Sequence, residues 1–237
     1  MKVFITGINR GIGLALAEAM LHEKMEVFGT VRSLNNSDMN GVKDLVKNYH
    51  KKLHLIKLDV TQENIKEQII QHIPKDLTLD LLINNAGVLF KEVEPALERL
   101  TRDHLKDSLH VNLLGPIFVT QSLLPYLMKS ENPKVVNISS ILGSVQLNEN
   151  FSSTYDYRVS KAGLNMFSKN LSLEFPDMIT LNLHPGWVKT EMGGEEAPLT
   201  PEHSAKKLLK VILQSDISKS GKFYDLNGRE LPLSLIH

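Results

Sequence analysis

The stretch that decides the fold is Thr6–Gly13, which reads TGINRGIG and follows the apolar run Lys2–Ile5. A helical pattern begins at about Gly11, because apolar side chains then recur along one face as far as Met20. Glycines between a strand and a helix let the backbone turn tightly and approach a pyrophosphate, to which the helix N-terminus offers free N–H groups. The stretch therefore predicts a phosphate-binding loop, and the alternative is an ordinary tight turn.

Strand and helix patterns alternate along the rest of the chain, which is typical of a parallel sheet with helices on both faces. We predict an α/β fold with a doubly wound parallel sheet of about seven strands, a Rossmann fold, as a single domain over residues 1–237. The predicted strands are Lys2–Thr6, Met25–Val31, Leu53–Leu58, Leu79–Ile83, Lys134–Ile138, Ile179–Leu183 and Lys222–Leu226. The predicted helices after the first are Val42–Tyr49, Thr61–Ile73 with Thr61 as N-cap, Thr101–Met128 with a break or kink at Pro116 or Pro125, Thr154–Phe175 and Thr200–Gln214.

Composition excludes several classes of protein. The chain has 237 residues, of which 42% are hydrophobic, and its 27 basic and 27 acidic residues cancel. A protein that binds nucleic acid normally carries more basic than acidic residues, so we do not expect this protein to bind nucleic acid. The absence of cysteine excludes disulfides and cysteine-ligated zinc, and we assign no metal site. The first residues lack the apolar core of a signal peptide and no run is long enough for a membrane span, so we expect a cytoplasmic protein.

The end of the second predicted strand should select the cofactor. A carboxylate there would bind the ribose hydroxyls of NAD, whereas a cation would accept the 2′-phosphate of NADP. Val31 is followed by Arg32, with no carboxylate, and Arg10 lies in the glycine loop. Guanidinium groups suit phosphate geometry, so we predict NADP(H) over NAD(H). The alternative is that Arg32 is a solvated charge at the end of a strand.

The stretch YDYRVSK, residues 155–161, offers an acid–base pair. Tyr157 and Lys161 are four positions apart and share a helix face, whereas Tyr155 does not share it. A phenol has a pKa of ~10, and a nearby ammonium group favours the phenolate by up to about 4 kcal/mol. Alone, such a pair is more often a solvated surface pair. Ser139 and Ser140 end a strand just upstream, where parallel sheets place their ligand sites, and a serine there can stabilise a developing oxyanion.

These motifs together resemble the short-chain dehydrogenase/reductase family. The glycine loop is similar to its TGxxxGxG fingerprint, residues 84–87 to its NNAG motif, and residues 185–190 to its PGxxxT stretch. The order Asn112, Ser140, Tyr157, Lys161 matches the family's catalytic tetrad. Within the family, TYDYRVSKAGLN and HPGWVKTEMGG look like the sniffer-type, C-factor-like branch of carbonyl reductases.

The resemblance implies reduction of a ketone or aldehyde by NADPH. It makes Tyr157 the proton donor and Ser140 the group that polarises the carbonyl, with Ser139 as a neighbouring structural hydroxyl. Lys161 would lower the tyrosine pKa and hold the nicotinamide ribose, and Asn112 would bind a water of a proton relay. The implied cofactor contacts are Gly7, Asn9, Arg10, Gly11, Ile12, Gly13, Arg32, Asp59, Val60, Asn85, Ala86, Gly87, Tyr157, Lys161, Pro185, Gly186, Val188 and Thr190.

Further expectations concern the surroundings of the site and the assembly. The spacing of Ser140 and Tyr157 implies a short insertion around 146–153 that shapes substrate access. We expect Asp156 and Arg158 to be peripheral, and His184 and Trp187 to be packed residues without a role. Relatives occur as homodimers, homotetramers and monomers. A nucleotide-sensing or signalling protein on the same fold is the alternative function, although a sensor would not need Tyr157; a hydrolase lacks a histidine-based nucleophile motif here.

Overall fold

One eight-stranded sheet, in the order β3-β2-β1-β4-β5-β6-β7-β8, forms the centre of the molecule. The computed structural model describes residues 1–35, 39, 41–90, 97–148 and 153–233. Strands β1 to β7 pair in parallel, and the chain reverses its winding direction between β1 and β4. The strands are β1 (Lys2–Ile5), β2 (Glu26–Val31), β3 (Leu53–Lys57), β4 (Leu81–Asn84), β5 (Lys134–Ile138), β6 (Ile179–His184), β7 (Lys222–Asp225) and β8 (Glu230–Leu231).

Helices cover both faces of this sheet, which confirms the doubly wound Rossmann fold. One apolar core joins Val3 and Ile5 to Leu16 and Leu208 on one face, and a second joins Phe4 to helices on the other. The sheet differs from the prediction by its short eighth strand, which is antiparallel to β7. The α-helices are α1 (Gly11–His22), α2 (Lys43–Tyr49), α3 (Ile65–Ile70), α4 (Arg102–Leu109), α5 (Gly115–Leu127), α6 (Tyr155–Glu174) and α7 (Pro201–Leu213).

The long helix predicted over 101–128 is two helices joined by a wide π-turn, His110–Leu114. The break therefore comes before both prolines. Pro116 lies in the first turn of α5, directly after the π-turn, and Pro125 lies inside α5. Asn112 stands within the π-turn, so the interruption coincides with a predicted site residue.

The predicted N-cap at Thr61 is wrong. The backbone N–H and the hydroxyl of Thr61 both donate to the Asp59 carboxylate, at 3.0 and 2.7 Å. This local turn competes with helix formation, and α3 begins only after Asn64.

Some predictions fall on residues outside the described part of the chain. These are parts of the loop 35–41, the loop around Pro95, and residues 149–152 of the insertion. In the described ranges, no helix combines the length and apolar character that crossing a membrane requires.

A row of buried asparagines crosses the sheet just below its carboxyl edge. Asn84, Asn137 and Asn182 are paired in register on β4, β5 and β6. Asn84 donates to Asn137 at 2.8 Å, Asn137 donates to Ser168 on α6 at 2.7 Å, and that serine donates to Asn182 at 2.5 Å. Buried polar groups need such partners, and through Ser168 the row also reaches α6. The ends of those strands carry the candidate site.

Candidate active site

The glycine loop is shaped for close approach of a ligand to its backbone. Gly7 and Gly11 have φ of +72° and +58°, a region that side-chain-bearing residues rarely adopt. A Cβ on Gly13 would lie 2.1 Å from the Gly7 carbonyl oxygen. The first turn of α1 contains no acidic residue, and its N-cap, Arg10, forms no side-chain cap. The N–H groups there need an acceptor, and an anionic phosphate fits that need.

The turn after β4 is tied to this loop. The Asn85 amide donates to the carbonyl oxygens of Thr6 and Gly7 at 2.9 and 3.0 Å. The Thr6 hydroxyl accepts the backbone N–H groups of Asn85 and Ala86, each at 3.0 Å. The predicted contacts Asn85 and Ala86 therefore lie beside the loop, where they fix its shape. Both amide hydrogens of Asn85 are used in this way, so none is left to donate to a ligand.

The structure separates the two serines after β5. Ser139 donates its hydroxyl to Asn165 on α6 at 2.7 Å, whereas Ser140 interacts with the Tyr157 phenol and acts to lower its pKa. Ser140 also accepts the Leu142 N–H at 3.2 Å, which fixes its position in the turn. This geometry supports the choice of Ser140 as the serine beside Tyr157.

Tyr157 and Lys161 lie on one buried face of α6, as their spacing predicted. Their exposed fractions are 7% and 5%. The Lys161 ammonium lies 5.6 Å from the centre of the Tyr157 ring and donates to the Ile138 carbonyl at 2.8 Å. The pair is therefore not a solvated surface pair.

Burial dominates the acid–base properties of this pair. It raises the pKa of Tyr157 to about 12, although the hydrogen bond with Ser140 acts to lower it. It also lowers the pKa of Lys161 to about 8, because the charged ammonium is removed from water. The resemblance implies that Lys161 lowers the pKa of Tyr157. Among the protein's own groups, burial has the larger effect, and the pKa of Tyr157 lies above its ordinary value. The phenol stays neutral at pH 7 and can act as a proton donor.

Asn112 is fully buried in the π-turn and clamps the segment after Gly87. Its Oδ1 accepts the Val88 N–H at 2.8 Å, and its Nδ2 donates to the Val88 carbonyl at 2.9 Å and to the Ser160 hydroxyl at 3.0 Å. Both amide hydrogens are thereby used, so a water could bind this side chain only through Oδ1. A Cβ on Gly87 would lie 3.3 Å from that oxygen and 3.8 Å from Lys161 Nζ, so this turn passes directly over the buried pair.

The predicted phosphate-binding end is exposed. Arg32 follows β2 with an exposed side chain, and Arg10 forms an ion pair with Glu191 from the loop after β6. Asp59 and Val60 follow β3 at the same edge of the sheet. Arg10 already pairs with Glu191, a partner that the sequence did not indicate, and this pairing offsets part of the positive charge that Arg10 could offer a phosphate.

The loop after β6 closes against the glycine loop. Gly186 has a φ of +83°, and Val188 pairs with Leu199 in an isolated bridge. A Cβ on Gly11 would lie 3.1 Å from Thr190 Cγ2. The Pro185 carbonyl accepts the Ser204 hydroxyl at 2.7 Å, which ties the loop to α7. Of the predicted contacts of this loop, Thr190 therefore lies against the phosphate-binding turn, whereas Gly186 and Val188 pack toward Leu199.

Two aromatic residues near this loop differ in exposure. His184, the last residue of β6, is half-buried, and burial lowers its pKa to about 4 while Asp225 opposes that shift. Trp187 is 55% exposed, so the prediction that it is packed is wrong. Its indole N–H is fixed by the Gly193 carbonyl at 2.8 Å, which leaves the ring face open.

Asp156 and Arg158 are also placed differently from the prediction, since both are buried. Asp156 is fully buried and accepts the Ser108 hydroxyl from α4 at 2.5 Å. Arg158 donates to the Ser153 carbonyl at 2.6 Å and to the Asn148 side chain. Arg158 therefore joins Asn148 to Ser153, two residues of the predicted insertion that lie ten and five positions before it. Charged residues in a helix are usually solvated, so the sequence does not indicate that these two are buried.

Comparison with known proteins agrees with this geometry. The short chain dehydrogenase family matches residues 1–199, and the chain belongs to that family of oxidoreductases. The C-signal of Myxococcus xanthus is 38% identical over 156 residues, which are 65% of this chain and 92% of that protein. Carbonyl reductase Sniffer of D. melanogaster superimposes with a TM-score of 0.88 at 32% identity, over 98% of each chain. NADPH-bound carbonyl reductase from chicken fatty liver gives 0.90 at 30% identity, again over 98% of each.

Proposed function

We propose that this protein is an NADPH-dependent carbonyl reductase that reduces a ketone or aldehyde, with the whole chain folded as one domain. The observation that carries the proposal is the burial of Tyr157 and Lys161 side by side on α6, with Ser140 acting on the phenol. Supporting it, the solved relative from chicken fatty liver is described as NADPH-bound. The cofactor, when bound, supplies a hydride to the substrate carbon.

The side chains divide the remaining work. Tyr157, neutral at pH 7, donates its proton to the carbonyl oxygen, and Ser140 donates a hydrogen bond to that oxygen. Lys161 supplies a positive charge beneath the phenol as it becomes a phenolate. Asn112 keeps the segment at Val88 against this pair. Glycines of the loop 7–13, with the turns 85–87 and 185–190, would hold the cofactor's phosphates and nicotinamide.

Tyr157→Phe tests the proposal because it removes the proton donor and little else. We expect kcat for carbonyl reduction, followed as NADPH oxidation, to fall by about 10³-fold, within the usual range for a general acid. NADPH affinity, measured by fluorescence titration, should stay within about 3-fold, a change of less than 1 kcal/mol. Near-normal turnover by the variant would refute the mechanism.

A signalling or nucleotide-sensing protein is the second candidate, and the similarity to C-signal favours it. The buried acid–base pair distinguishes the two functions, since nucleotide sensing requires binding alone. A panel of aldehydes and ketones that leaves NADPH unoxidised, while NADPH still binds, would favour the second candidate.

We also propose that copies of the chain associate through α5 and α6. Their outer faces expose Phe118, Val159, Met166 and Leu173, at 45%, 51%, 62% and 66%. Exposed apolar side chains of this number favour contact with another apolar surface. Light scattering at micromolar concentration tests this, and a monomer mass would refute it.

A further inference from the structure

We infer that Asn165 is a positioning residue for the proposed reduction, on which this inference rests. It holds the turn that carries Ser140 against the helix that carries Tyr157 and Lys161. Nothing in the family motifs identified above assigns it a role.

The contacts of Asn165 are unusual for a buried helix residue. Its side chain is only 4% exposed. Oδ1 accepts the Ser139 hydroxyl at 2.7 Å, and Nδ2 donates to the Gly143 carbonyl at 3.1 Å. These two partners lie on either side of Ser140, at the start and the end of its turn. One amide therefore fixes both ends of the segment that presents the reacting hydroxyl.

The same helix face carries all three residues. Tyr157, Lys161 and Asn165 follow one another at four-residue intervals on α6, so they project toward the same side. The turn packs closely on that side, because a Cβ on Gly143 would lie 2.7 Å from the Lys161 carbonyl carbon. The Gly143 N–H in turn donates to the Ser140 carbonyl at 2.9 Å. A shift of the turn along α6 would therefore move Ser140 relative to Tyr157.

Such a shift has a direct chemical consequence. The Ser140 hydroxyl and the Tyr157 phenol must reach one carbonyl oxygen together, and a misplacement of ~1 Å can reduce the rate by about 10²-fold. An apolar side chain could fill the space of Asn165, but it would leave the Ser139 hydroxyl and the Gly143 carbonyl to find other partners.

Asn165→Leu tests the inference because it removes both hydrogen bonds at similar volume. We expect kcat to fall by about 10- to 100-fold while NADPH affinity stays within about 3-fold. The apparent pKa of Tyr157 in the pH profile of kcat should rise, since the hydrogen bond from Ser140 that lowers it is weakened.

Ser168→Ala is the matched control. Ser168 lies on the same helix, is fully buried, and bonds Asn137 and Asn182 beyond the site. We expect it to lower the melting temperature at least as much as Asn165→Leu, because it also leaves buried amides unpaired, yet to keep kcat within about 3-fold and the pH profile unchanged.

The outcomes separate the inference from the proposed function. If Asn165→Leu has the kcat and pH profile of wild type or of Ser168→Ala, the inference is wrong. Should Asn165→Leu fail to fold, Ser139→Ala removes one of the two bonds, and an unchanged kcat would equally refute it. An active Tyr157→Phe refutes the proposed function itself; an inactive Tyr157→Phe beside a normal Asn165→Leu refutes only the positioning role.

Discussion

The two ends of the sheet's carboxyl edge are built in opposite ways. At β5 and α6, Ser140, Tyr157 and Lys161 are at most 8% exposed and each has a hydrogen-bond partner or close neighbour. At β2 and the glycine loop, Arg10 and Arg32 are exposed. The first end fixes its groups before any ligand arrives, whereas the second can rearrange its charges around a phosphate. Substitutions should therefore have large effects where the side chains are buried and smaller effects where the side chains are exposed.

The largest effect is expected at Gly13, a buried residue of the glycine loop. In Gly13→Ala the new Cβ meets backbone atoms, the Gly7 carbonyl oxygen at 2.1 Å, so the loop itself must move. We expect the free energy of unfolding to fall by about 3 kcal/mol, the upper range for overpacking. NADPH should no longer raise the melting temperature.

Gly163→Ala is the control for that measurement. Its Cβ would meet Leu113 Cδ2 at 2.8 Å, the end of a side chain that can rotate away. It should keep the NADPH-dependent rise in melting temperature. If both variants keep it, the loop does not bind the phosphates as proposed.

The next effect tests the buried end through pH. Burial holds the pKa of Lys161 at about 8, below its ordinary 10.5, so between these values the unfolded chain binds more protons than the folded chain. Stability contributed through this group therefore rises as pH increases above about 8. From pH 7 to pH 9.5, wild type should gain about 2 kcal/mol relative to Lys161→Met in urea unfolding. Equal pH dependence of the two proteins would show that Lys161 is solvated.

The smallest effect is expected at the exposed end. Arg32→Ala should raise the KM for NADPH by about 10-fold, the value of one charge-assisted hydrogen bond, and leave the KM for NADH within about 2-fold. Arg10→Ala should do less, because the ion pair with Glu191 already offsets part of the Arg10 charge. Lys51→Ala, an exposed cation before β3, is the control and should change neither KM. A wild-type preference for NADH would contradict the assignment of the arginines.

The sequence predicted the fold and the Tyr157–Lys161 pair because both depend on local spacing. Helix periodicity places those side chains on one face, and parallel strands place their ends at one edge. The burial of Asp156 and Arg158 was not predictable from the sequence. Asp156 bonds Ser108, which is distant in sequence, and Arg158 bonds the backbone carbonyl of Ser153, a group that every residue carries. The contacts of Asn165 were likewise not predictable, because an asparagine inside a helical pattern does not indicate which groups it bonds.

The π-turn at 110–114 makes the chain sensitive to length as well as to residue identity. A π-turn holds one residue more than the α-helix around it, and such turns frequently occur at functional sites. Deleting a single residue there would let α4 and α5 join as one regular helix. Every side chain on one side of the deletion would then turn by about 100° relative to the other. Asn112 would no longer face Val88, so the fold would gain a more regular helix and lose the clamp beside Lys161.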